Sequence, residues 1–163
     1  MNTFTINFWD VDGCMVRHQF PNGKQNADIT KDPMFAWVGS KVLGANVNIM
    51  VSGRGSELKD ITLRWWHSQW CGNCPIMYYV GVDWKHQETH DHRMDDYVQR
   101  KVHVLEKLLV NWFAALSSSN IKHEKHVYED DENVLKELER RNQGAINITY
   151  HLVDKAGEVH DYP

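Results

Sequence analysis

Three cysteines in 163 residues are too few, and odd in number, for the disulfide framework of a small secreted domain, and they suit a reducing cytoplasm. No run of apolar residues approaches the length a bilayer span requires. The chain opens on a strand pattern, not on the basic-then-apolar order of a signal peptide. Positive charge is not in excess: the formal net charge is −4, so no global basic field marks the protein for nucleic acid. Internal repeats, low-complexity tracts and Pro/Gly linkers are missing as well. What remains is an ordinary globular composition, 42% hydrophobic and 25% charged, expected to form one domain over residues 1–163 with a genuine core.

The charge is unevenly spread. Residues 1–50 carry four basic and four acidic side chains, residues 51–121 eight of each, and residues 122–163 six against ten. The acidic excess therefore belongs to the last segment, around Glu129-Asp130-Asp131-Glu132, while the middle third keeps enough arginine and lysine for a local basic groove. Seven tryptophans are many for this length. Trp65, Trp66 and Trp70 offer rings on which bases could stack, but core packing is the favoured expectation for them.

The most informative segment is Asp10-Val11-Asp12-Gly13, directly after the alternating run Phe4-Thr5-Ile6-Asn7-Phe8-Trp9. Two carboxylates one residue apart at a strand end point to one rim of a sheet, and the glycine allows a sharp turn away. Close like charges raise each other's proton affinity, which is unfavourable for structure alone. It becomes favourable with a divalent cation between them, or where one carboxylate is a nucleophile and the other an acid/base. Read alone, the same four residues also make an ordinary loop opening.

Strand-like and helix-like patterns alternate along the chain, which predicts an α/β fold: a doubly wound, mostly parallel five-stranded sheet with helices on both faces. The expected strands are Thr3–Trp9, Val47–Val51, Ile76–Val80, Lys125–Tyr128 and Ala145–Val153. The expected helices start at Asp32-Pro33 and run to Gly44, from Ser56 to about Trp70, from Asp95 or Asp96 to Ser117-Ser118-Ser119-Asn120, and from Glu132 to Arg141. Leu58, Ile61, Leu63 and Trp65 are the expected apolar face of the second helix, and Asp83–Arg93 a polar loop. Ligands of doubly wound sheets bind beyond the carboxyl ends of the strands. One shared site is thus expected from Asp10 and Asp12, from Ser52-Gly53-Arg54, and from Glu129-Asp130-Asp131.

With Lys101 in the helix before the fourth strand, this ordered series resembles the haloacid-dehalogenase-like (HAD-like) phosphohydrolase superfamily over residues 4 to about 153. In finer detail, Val51-Ser52-Gly53-Arg54, Asp91-His92-Arg93-Met94-Asp95-Asp96-Tyr97-Val98 and Tyr128-Glu129-Asp130-Asp131 look like the 3′-phosphatase domain of phage-type polynucleotide kinase-phosphatases. No Gly-rich Walker-type loop is present, so the kinase half has no counterpart here. Cys14 stands where these families usually have threonine. Lys101 lies two positions beyond the family spacing, leaving Arg100 as a rival, and the acidic pair reads as Glu129-Asp130 or as Asp130-Asp131.

The resemblance implies a Mg²⁺-dependent phosphatase with minimal or no cap. In it, Asp10 is the nucleophile that forms an aspartyl-phosphate, Asp12 the acid/base, Ser52 a hydrogen-bond partner of the phosphoryl group, and Lys101 a neutralising charge. Mg²⁺ would be held by Asp10, the backbone carbonyl of Asp12, and Asp130. Gly53, Arg54 and Arg93 would bind the substrate phosphate. The implied substrate is a phosphorylated nucleic-acid 3′ end in end repair, in the cytoplasm, or the host cytoplasm if the protein is viral. A nucleotide or small-metabolite phosphatase is the alternative within the same chemistry, and a non-catalytic binding module the alternative outside it.

Plain readings stand beside each residue. Ser52 could cap a helix, Arg54 could be a turn residue, Arg93 a surface partner of Asp91 or Asp95, Lys101 a solvated side chain, and Glu129–Glu132 a helix start. Cys71-x-x-Cys74 has zinc-ligand spacing, with His67, His86, His90 and His92 near in sequence, but no second such pair follows and the turn explains itself without metal.

Overall fold

The computed structural model describes residues 3–17, 29–69, 75–80, 90–142 and 147–162, with the backbone alone for 90–96. Among the described residues, six strands and four helices follow in the order β1 (Phe4–Trp9), α1 (Ala36–Gly44), β2 (Val47–Ser52), α2 (Lys59–Gln69), β3 (Ile76–Tyr79), α3 (His90–Ser118), β4 (His123–Glu129), α4 (Glu132–Arg141), β5 (Ile148–Val153) and β6 (Val159–Tyr162). The sheet order is β3-β2-β1-β4-β5-β6. Every pairing is parallel except β5–β6. The chain therefore steps outward from β1 through β2 to β3, then returns to the other side of β1 and steps outward again.

β1 lies in the middle of this sheet, and its residues from Ile6 to Trp9 are buried, polar Asn7 included. Because alternate side chains point to opposite faces, it feeds two cores. Ile6 and Phe8 join Ile49, Val51 and Val127 beneath Val102, Leu105 and Leu109 of α3 and Val134, Leu135 and Leu138 of α4. Trp9 joins Met50 and Tyr128 beneath Val38 and Val42 of α1 and Trp65 and Trp66 of α2. Each such fully buried side chain contributes about 1.5–3 kcal/mol of transfer free energy. Trp65 and Trp66 thus belong to the core, as expected; Trp70 lies outside the described residues.

Several local expectations need correction. The sheet has a sixth strand: Asp154 accepts hydrogen bonds from the backbone of Ala156 and Glu158, turning the chain so that Val159–Tyr162 runs back along β5. The fifth strand runs from Ile148 to Val153, and Ala145, its expected start, lies outside the described residues. α1 starts at Ala36, not at Asp32-Pro33, because Met34 and Phe35 are drawn into backbone pairing with Val16 and Met15. Ser56 opens only a short 3₁₀ turn, Ser56–Leu58, without a side-chain cap. The buried residues of α2 are Thr62, Trp65 and Trp66, not Leu58, Ile61 and Leu63. α3 begins at His90, inside the stretch expected to be a loop. Its other end matches: the helix stops at Ser118, and Asn120 takes the left-handed conformation that closes helices. Asp131 caps α4 by accepting from the Asn133 amide at 2.9 Å.

No helix among the described residues is long and apolar enough to cross a membrane. The segments that bear on a cap, 18–28 and 81–89, lie outside the described residues.

Candidate active site

The sheet order brings the carboxyl ends of β2, β1 and β4 side by side, and with them most of the expected residues. Asp10 follows β1 directly, its amide donating to the Tyr128 carbonyl at 3.1 Å as a last rung toward β4. The chain then folds back tightly: the Val11 carbonyl accepts from Met15 at 2.9 Å, and the Gly13 amide donates to Val16 at 2.7 Å. Gly13 is required here on two counts. Its φ is +81°, and a Cβ at this position would collide with the Asp130 carboxylate.

Lys101 stands at the centre. It is wholly buried, and its ammonium lies 2.8 Å from Asp10 Oδ1 and 2.8 Å from Glu129 Oε2, and donates to Tyr97 Oη at 3.1 Å. Arg100, its sequence rival, points elsewhere and donates to the Val80 carbonyl. Successive helical residues diverge by roughly 100°, so only one of the two can face Asp10. The acidic pair at the site is Glu129-Asp130. Glu129 Oε1 accepts from the amides of Asp130 and Asp131, while the Asp131 side chain caps α4.

Asp12 is held from the other side. Arg54, completely buried, directs Nε to Asp12 Oδ2 at 2.8 Å and Nη2 to Oδ1 at 3.0 Å, a two-pronged fork. The fork expected on a substrate phosphate is thus directed to Asp12. Ser52, buried at the end of β2, accepts from the Arg54 amide with its hydroxyl oxygen at 3.0 Å and so shapes the Ser52-Gly53-Arg54 turn. Tyr97 packs against Gly53, where a Cβ would sit 2.5 Å from the tyrosine oxygen. The Arg93 side chain lies outside the described residues, as do Cys71, Cys74 and His86 and the side chains of His90 and His92. His67 is exposed on α2.

Charge balance is the dominant physics. One carboxylate oxygen from each of Asp10, Glu129 and Asp130 lies within 4.8 Å of the other two. At that separation two like charges repel by roughly 3–4 kcal/mol at an effective dielectric of about 20. Lys101 supplies one compensating charge for three carboxyls. Burial raises the Asp10 carboxyl, but the Lys101 ammonium and hydrogen bonds from Asp130 and Lys101 outweigh it and hold Asp10 below the usual carboxylate range. Burial and the Asp10 charge push Glu129 up to about 8, against the pull of Lys101. Burial, the Asp10 charge and a hydrogen bond to Asp10 push Asp130 up to about 11. The Cys14 thiol, buried beside the same acids, is raised and stays protonated.

Such a cluster needs either shared protons or a cation. Its donors, three carboxylates at a strand rim, are the hard oxygen ligands that Mg²⁺ prefers, so the residues fit the ion the sequence suggested. The Asp12 carboxylate, turned to Arg54, is not among them. A second group, Asp154, Glu158 and His160, lies on the β5–β6 hairpin, where the Asp154 carboxylate is already engaged by the Glu158 amide and the His160 ring.

Tyr97 is not among the expected site residues, although it stands in the Asp91–Val98 stretch that carries the resemblance and four residues before Lys101, on the same helical face. Searches of family models, of curated proteins and of solved structures match nothing to this chain.

Proposed function

We propose that the protein is a Mg²⁺-dependent phosphomonoester hydrolase of the HAD-like type, built on a doubly wound, Rossmann-like sheet with little or no cap. The observation that carries this reading is Asp10 held ionised at the end of the central strand by a buried lysine 2.8 Å away, amid two further carboxyls. A merely structural carboxylate would be cheaper to replace by an apolar residue, since buried ion pairs rarely improve stability on balance.

In this mechanism an Asp10 oxygen attacks phosphorus while the ester P–O bond breaks, giving an aspartyl-phosphate. The departing oxygen takes a proton from Asp12. Asp12 then removes a proton from water, which attacks the phosphorus, releasing inorganic phosphate and regenerating Asp10. The Arg54 fork orients Asp12 for both transfers. Ser52 and Gly53 receive the non-bridging oxygens, with Arg93 as a further phosphate contact. Asp10, the Asp12 carbonyl and Asp130 would hold Mg²⁺, with Glu129 alongside; the ion supplies charge neutralisation for the clustered carboxylates and the phosphoryl oxygens.

The preferred substrate is the 3′-phosphate of a nucleic acid, on the strength of the Asp91–Val98 resemblance and the short intervals available for a cap, and the preferred compartment is the cytoplasm. Nucleotides or small phosphorylated metabolites are the alternative. The intact Asp10, Asp12 and Asp130 favour an enzyme over a binding module, because binding alone needs no nucleophile. The test is phosphate release from matched 3′- and 5′-phosphorylated oligonucleotides and from nucleoside monophosphates, with Mg²⁺ and with chelator. Mg²⁺-dependent release favouring the 3′-phosphorylated oligonucleotide supports end repair. Release mainly from monophosphates moves the protein to nucleotide metabolism, and no release from any substrate sinks the enzyme.

A further inference from the structure

The Lys101 ammonium has three protons to donate, and three acceptors surround it: Asp10 Oδ1, Glu129 Oε2 and Tyr97 Oη. None is left for a phosphoryl oxygen. Two of the acceptors are carboxyl groups at 2.8 Å, one of them the ionised Asp10, against a neutral hydroxyl at 3.1 Å. The lysine is therefore committed to Asp10 and Glu129, and its third N–H reaches the site only through the tyrosine. Tyr97 Oη accepts that proton and still carries one of its own, which no acceptor takes among the described residues.

The position of this hydroxyl is set by two independent contacts. Lys101, one helical turn further along α3, holds it from one side. Gly53 holds it from the other: the ring lies so close to the Gly53 backbone that no side chain fits between them. The free O–H therefore sits over the Ser52-Gly53-Arg54 turn, on the rim where Asp10 emerges.

We propose that Tyr97 is a catalytic residue of this site, its O–H donating to a non-bridging oxygen of the phosphoryl group seated on the Ser52–Gly53 turn. Lys101 polarises that bond by donating into the same oxygen, since hydrogen bonds in a chain reinforce one another. The lysine then serves the nucleophile directly and the phosphoryl group by relay. This inference rests on the phosphatase reading and specifies which side chain contacts the substrate. It also explains why Gly53 bears no side chain.

The variant that isolates the hydroxyl is Tyr97→Phe, which keeps the ring against Gly53. On the best phosphate ester for the wild type, kcat/KM should fall about ten- to a hundredfold, the range for one donor to a charged group. The affinity for orthovanadate, measured by calorimetry with Mg²⁺ present, should fall by a similar factor, with the melting temperature and the Mg²⁺ concentration for half-activation unchanged. Unchanged vanadate affinity, whether or not kcat falls, would overturn the contact and leave the hydroxyl acting on Lys101 alone. Wild-type kinetics in Tyr97→Phe would overturn it outright while leaving the phosphatase standing. A wild-type protein that neither hydrolyses esters nor binds vanadate would remove the phosphatase reading and this inference together.

Discussion

Arg54 and Asp12 meet as a bidentate ion pair, Nε to Oδ2 at 2.8 Å and Nη2 to Oδ1 at 3.0 Å, with the guanidinium sealed from solvent. Forty-two residues apart in sequence, they tie the turn after β1 to the turn after β2. Removing one partner of such a pair strands a buried charge, so Arg54→Ala should destabilise the protein by about 3 kcal/mol in urea unfolding. Arg54→Lys keeps the charge but not the fork, and should retain most of the stability while losing activity. If Arg54→Ala unfolds at the wild-type midpoint, the pair does not hold the two turns together.

Asp10→Asn should abolish phosphate release, by at least about 10³-fold, because an amide oxygen is no nucleophile toward phosphorus. Circular dichroism should remain that of the wild type, since β1 and its two cores do not depend on the charge. Turnover retained in the purified variant would refute the aspartyl-phosphate.

Much of this arrangement was legible in the sequence because it depends on order along the chain. Apolar strands closed by Asp10, Ser52 and Glu129, each followed by a helix pattern, place those residues on one rim of any mostly parallel sheet. Partner choice was not legible. Whether Arg54 serves Asp12 or a substrate depends on the distance between two turns, and Arg100 versus Lys101 depends on the rotation of α3 about its axis. β6 escaped notice because Val159-His160-Asp161-Tyr162 shows no clean alternation and pairs only through the turn at Asp154. The buried face of α2 was misread because its core contacts are Thr62 and two adjacent tryptophans, a narrower seam than the leucine and isoleucine spacing suggested.

Gly13→Ala is a sharp probe of the rim. An alanine at φ +81° costs about 1–2 kcal/mol in backbone strain, and its methyl would also drive the Asp130 carboxylate away from Asp10. Stability should fall by at least that amount, and Mg²⁺ affinity by calorimetry should fall with it. A variant that loses stability but binds Mg²⁺ as well as the wild type would separate Asp130 from the cation.

Glu129 and Asp130 make stability depend on pH in an uncommon direction. Folded, they keep their protons up to about 8 and about 11, whereas in the unfolded chain they titrate near 4.5 and 3.8. Between those limits the folded state binds more protons, so in chelator stability is greatest below about pH 4 for these two groups and declines as pH rises, by about 1.4 kcal/mol per pH unit for each extra proton held. Asp10, held low, contributes in the opposite sense, but that contribution is lost only as pH falls below its ordinary value of 3.8. A divalent cation takes the place of the protons, so Mg²⁺ should raise the melting temperature more at about pH 8 than at about pH 6. Glu129→Gln, which cannot ionise, should flatten the decline in chelator. A melting temperature that stays constant in chelator from about pH 5 to pH 8 in the wild type would mean that these carboxyls do not share protons, and the case for a cation at this rim would lose its main physical support.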